Sequence, residues 1–188
     1  MGAAGWQHDQ RSQRRGRGGA RSDQRGRPVS DASREHRASV NGVRAERARL
    51  QKLYADAYSA VVSYQEFPYV IRRRRAPTPG HEEIGGEERL RISDALHTVQ
   101  QALNNYLAQI STESTAVSTK YAALVHETRR TAGTYMHEAW DAPPLDNDPG
   151  MNIAGIDYSH LTGPQDEYLE ATKKDMTFWR VAIPKLRA

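Results

Sequence analysis

Apolar residues recur along this chain with a helical rhythm. Leu50, Tyr54, Ala57, Val61 and Tyr64 follow one another at steps of 4, 3, 4 and 3. That spacing keeps one stripe of an α-helix turned toward a neighbour. Val43 leads into the stripe, and Leu53, Tyr58 and Val62 widen it into a face broad enough for two neighbours. Ser30 or Asp31 can cap the start of this helix, with Glu35 in its first turn. Gly42 weakens a helix by about 1 kcal/mol relative to Ala, so fraying is expected in the first turns. Pro68 should end or kink the helix, because the residue before a proline is pushed away from the α region.

A second helical stretch is expected after Gly85-Gly86. Its seam is Ile92, Leu96, Val99, Leu103, Tyr106 and Ile110, the most regular pattern in the sequence. The same phase continues through Ser114, Val117, Tyr121, Leu124, Thr128, Thr131 and Tyr135, crossing the polar stretch STEST at 111–115. Two readings stand. One unbroken helix over 87–140 would span about 80 Å at about 1.5 Å per residue. Alternatively Ser114 caps a separate third helix, which allows a compact bundle and gives the second half of the seam a partner.

That helix should stop near Trp140, before Asp141-Ala142-Pro143-Pro144. A short final helix is expected from about Pro164, with Asp166 and Glu167 in its first turn. It carries Tyr168, Leu169, Met176, Phe178 and Trp179 before Pro184. The pattern predicts an all-α fold, an elongated helical bundle or hairpin with coiled-coil-like seams. Its parts are a disordered basic tail over 1–30, the bundle over 31–140, a loop over 141–163 and a C-terminal short helix and tail over 164–188.

Charge changes the picture at one end. The formal net charge is +4, but residues 1–30 hold seven Arg against two Asp while the remainder sums to −1. The mean hydropathy of −0.82 is low for a compact globule. The tail, with Trp6, Met1 and Val29 as its sizeable apolar residues, has too little apolar surface to offset its ordering entropy. Its pairs Arg15-Gly16, Arg17-Gly18 and Arg25-Gly26 resemble arms that associate with nucleic acids without sequence preference. A plain solvated tail, or a start codon placed too far upstream, would account for the same residues. Arg14, Arg15, Arg17, Arg21, Arg25 and Arg27 are the candidate phosphate contacts there. A second basic run, Arg72, Arg73, Arg74 and Arg75, follows the first helix. Glu82, Glu83, Glu87 and Glu88 lie close by, so this run reads first as a solvated interhelical loop and second as a contact for phosphate or another anionic partner. Arginine outnumbers lysine 22 to 5, which a GC-rich genome would also produce.

The motifs Phe67-Pro68-Tyr69 with the basic run after them, Ile92-Ser93-Asp94, Arg129-Arg130-Thr131-Ala132-Gly133 and Met136-His137-Glu138-Ala139-Trp140 resemble an uncharacterised helical protein family of actinobacteria and their phages. The resemblance covers roughly residues 45–142. It implies a helical fold and supplies no catalytic residues.

Catalytic and cofactor motifs are missing from the sequence. Without cysteine there is no disulfide, thiolate nucleophile or zinc–sulfur site. No phosphate-binding loop, His-Glu-x-x-His pair or nucleophile elbow is present. His81-Glu82-Glu83 sits in a Pro/Gly loop, and Asp146-Asn147-Asp148-Pro149-Gly150 has Gly150 where a calcium loop needs an oxygen ligand. His97, His126 and His137 fall beside the seams as bundle-edge residues. No apolar run approaches a membrane span, and no apolar region follows the early arginines as in a secretory signal, so the default location is the cytoplasm. The expectation is a non-enzymatic helical interaction or scaffold protein, without cofactor or metal, that self-associates or binds another helical protein. The alternative is a nucleic-acid-associated protein that uses the tail for phosphate contacts.

Overall fold

The computed structural model describes residues 31–74, 82–144 and 155–185, and among these the chain is helical without strands. The tail arginines, Arg75, His81 and the segment 145–154 lie outside the described residues. The elements are α1 (Asp31–Gln65), α2 (Phe67–Arg72), α3 (Glu82–Glu113), α4 (Thr115–Asp141), a 3-10 turn (Ser159–Leu161) and α5 (Thr162–Lys185).

In α1 the predicted seam is buried from Leu50 to Tyr64, and the widened face runs out at Val62, which is exposed. Gly42 lies within the continuous helix. The proline acts one residue away from where the sequence suggested. Phe67 is helical, the interruption falls at Glu66, and Pro68 sits in the first turn of α2. A first-turn amide has no intrahelical acceptor, so the missing N–H of Pro68 costs nothing there.

Helix α3 starts before Gly85-Gly86, at Glu82. Glu87 and Glu88 follow the two glycines in its second turn. The chain breaks at Ser114. Its backbone is extended (φ −151°, ψ 112°), its N–H donates to Ile110 O at 2.9 Å, and its own carbonyl accepts from Ser118 N at 2.9 Å. Its hydroxyl receives Val117 N at 3.4 Å. One residue therefore closes α3 and opens α4. Because Ser114 occupies a seam position, reversal there turns the two halves of the seam toward each other. Ile92, Leu103 and Ile110 are buried on one side, and Val117, Tyr121, Leu124, Thr128 and Thr131 on the other.

The four long helices run up, down, up and down. Arg49 pairs with Glu113 at 2.7 Å across α1 and α3. Arg129 donates to Gln100 O at 3.4 Å and to Asn104 Oδ1 at 2.9 Å across α3 and α4. The pair Lys120–Glu167 (2.9 Å) and the contact Thr131–His160 (2.7 Å) set α5 antiparallel to α4. Helices α1 and α4 meet across the centre, whereas α3 and α5 are not packed together among the described residues.

Helix α5 departs from the expected short terminal helix. It has 24 residues, begins at Thr162, and carries Tyr168 into the core just after the fully buried Leu161. Tyrosines from other elements clamp α1 through its carbonyls. Tyr121 Oη donates to Ala57 O (3.2 Å), Tyr168 Oη to Tyr54 O (2.8 Å) and Tyr158 Oη to Gln65 O (2.9 Å). Tyr54 in turn donates to Asp175 at 2.9 Å. Burial is the main cause that pushes the phenols of Tyr54, Tyr121, Tyr158 and Tyr168 well above the ordinary range. A raised phenol pKa means the folded state holds its proton more tightly than the unfolded chain. The stability this adds is complete below about pH 10 and is lost as pH rises beyond it. Circular dichroism against pH should show cooperative unfolding above about pH 10 that Tyr168→Phe moves to higher pH; an unmoved transition would exclude Tyr168 as a contributor.

Candidate nucleic-acid interface

The two arginine groups picked out by sequence have different standing. Arg14, Arg15, Arg17, Arg21, Arg25 and Arg27 lie outside the described residues, as does Arg75. Arg72 is half-buried in the last turn of α2, and Arg73 is exposed just beyond it.

Arg74 is different. It is 6% exposed, and its guanidinium is filled by carbonyl oxygens. Nη1 donates to Ile71 O at 3.0 Å and to Ala139 O at 2.7 Å; Nη2 donates to Trp140 O at 3.0 Å and to Ala142 O at 2.7 Å. The physical cause is visible in the sequence of the acceptor. A helix end leaves its last carbonyls without donors, and Pro143 and Pro144, which follow at once, bring no N–H to close them. Arg74 supplies those donors from 65 to 68 residues away along the chain. Its cation also sits at the negative end of the α4 dipole. Two guanidiniums lie over the Trp140 ring, that of Arg74 at 5.0 Å and that of Arg89 at 5.4 Å from its centroid. Burial, with the Arg89 and Arg72 cations nearby, lowers the pKa of Arg74 from its ordinary value. The reading of the whole run as a solvated loop is therefore corrected at Arg74. Four carbonyls occupy the four N–H donors of its two terminal nitrogens, so the planar fork that would grip a phosphate is already engaged.

A second basic feature lies on α1. Arg49 sits beside Glu113, the last residue of α3. The 18 residues of α1 before Arg49 therefore run past the α3–α4 turn, by about 27 Å at about 1.5 Å per residue. At about 100° per residue, Arg34, Arg37, Asn41 and Arg44 fall within about 80° of arc. All four are exposed, while Val40 is buried and Val43 half-buried beside them. Glu46 lies on a different phase and is engaged by Arg49 at 2.6 Å. Neither Arg37 nor Arg44 has an ion-pair partner among the described residues. Sequence reasoning missed these arginines because it summed charge over 1–30 and over the rest. The boundary cut through one continuous arginine-rich stretch, whose helical phase was the available signal.

At the opposite end a shallow cleft of about 300 Å³ opens between α2, the end of α4 and Gly155-Ile156. Arg72, Tyr135 and Glu138 line it, and the Tyr135 hydroxyl accepts from Asp157 N at 3.2 Å. Among the described residues no group of His, Asp and Glu is placed to hold a metal, and no helix is long and apolar enough to cross a membrane. His97, His126 and His137 are exposed, at the bundle edge. The chain matches no family model, no curated protein and no solved structure.

Replacing Arg74 by Ala should destabilise the fold by about 2–4 kcal/mol, because buried carbonyls lose charged donors. Arg73→Gln should stay within about 0.5 kcal/mol of the parent. Urea unfolding of both variants checks the contrast, and equal losses would contradict it.

Proposed function

We propose that the protein is a helical interaction protein associated with nucleic acid, in which the bundle is a platform for a basic N-terminal region. The observation that carries this is the pair Arg37 and Arg44. They are exposed on one face of α1, unpaired among the described residues, and directly follow the arginine-rich stretch of residues 1–30. Arginine at such density favours phosphate through planar, multiply donating guanidiniums. The first turns of α1 extend beyond the α3–α4 turn with Val40 and Val43 turned inward and Arg37 and Arg44 exposed.

Self-association is the other reading, and it rests on seams left open in a two- or three-helix assembly. Helix α5 packs on α1 and α4 from within the chain, so these two helices have a further neighbour without a second copy. The large apolar side chains exposed among the described residues are Val62, Leu90 and Leu169. The basic region is therefore the favoured binding surface.

Fluorescence anisotropy with a labelled 20–30 base-pair DNA, read across a salt series, tests the proposal. The full chain should bind with an affinity that falls steeply with salt, since each neutralised phosphate contributes about −0.9 to the log–log slope. Removing residues 1–30 should weaken binding at least about tenfold and flatten the slope. No binding by the full chain at low salt, or affinity unchanged by the deletion, would overturn it.

A further inference from the structure

We infer that the exposed face of α1 from Arg37 to Arg44 is a rigid contact for the phosphate backbone of a duplex. The inference rests on the nucleic-acid reading and adds the form of the partner and the surface that meets it. Proteins that hold single strands combine charge with aromatic platforms on which bases stack. Trp6 is the only Phe, Trp or Tyr before Tyr54, so the basic region is almost without such platforms. Tyr54, the first aromatic residue of α1, is turned inside the bundle. Tyr54, Tyr64, Tyr121 and Tyr168 are buried, and Tyr58 stacks on Tyr168 with ring centroids 6.3 Å apart.

What remains is charge on a regular scaffold. Arg37 and Arg44 stand two helical turns apart, about 10 Å along the axis. Unlike a flexible arm, the helix holds them at this separation before binding, so little side-chain and backbone freedom is lost on contact. A double strand presents one phosphate charge per about 1.7 Å of axis and so rewards such a surface more than a single strand does. Phosphate contacts carry no sequence information directly, so binding should be indifferent to sequence.

The test uses the full chain, a duplex, a single strand of the same length and vesicles containing phosphatidylserine. The duplex should bind at least about tenfold more tightly than the single strand at about 150 mM salt. In Arg37→Gln/Arg44→Gln, the log–log salt slope for the duplex should fall by about 2 and affinity should drop severalfold, with helicity unchanged. Equal or tighter binding of the single strand would overturn the duplex inference while leaving the nucleic-acid reading intact. An unchanged slope in the double variant would remove α1 from the contact. Loss of all nucleic-acid binding, or tighter binding to the vesicles, would overturn both.

Discussion

Everything in this fold depends on the reversal at Ser114. A single apolar seam runs in unbroken phase from Ile92 to Tyr135, and in a straight helix its two halves would face the same way along a long rod. One residue in an extended conformation folds the seam onto itself. The seam then supplies both sides of a helix–helix interface, and α1 and α5 close over it. The same reversal ends α3 beside Arg49, which is why the first turns of α1 run beyond the hairpin.

The rest of the structure shows how polar groups hold helices whose packing is otherwise apolar. Three tyrosines donate into carbonyls of α1, giving a buried aromatic core with satisfied hydroxyls. At the far end, Arg74 satisfies carbonyls that two prolines leave open. A charge buried without a carboxylate is ordinarily costly. Here carbonyl dipoles, the negative end of α4 and the face of Trp140 surround it. A run of four arginines is thus divided in its work, with at least one member belonging to the core.

The periodic features were legible from sequence because they are local. The seams of α1, α3 and α4, the interruption near Pro68 and the capacity of Ser114 to cap all follow from spacing and backbone chemistry. The failures share another cause, since each depends on a partner distant in the chain. Arg74 reads as surface until the Pro143-Pro144 end of α4 is brought beside it. Helix α5 reads as shorter than its 24 residues because its full length is supported by α1 and α4, where Tyr168 meets Tyr54 and Tyr121. The α1 arginines were legible in principle, through helical phase. They were obscured because residues 1–30 seemed to account for all of the excess charge.

The chain divides its labour between ends. Aromatic residues are concentrated inside the bundle, and arginine is concentrated before and along the first turns of α1. This separation exists only if α3 and α4 are two helices folded back. The chain has no cysteine, so Gln101→Cys and Arg130→Cys, both at exposed positions, allow clean spin labelling and a pulsed electron–electron distance measurement. Packed antiparallel helices place the labels within roughly 20 Å of each other. A distance near 44 Å, the length of about 29 residues of uninterrupted helix, would contradict the account.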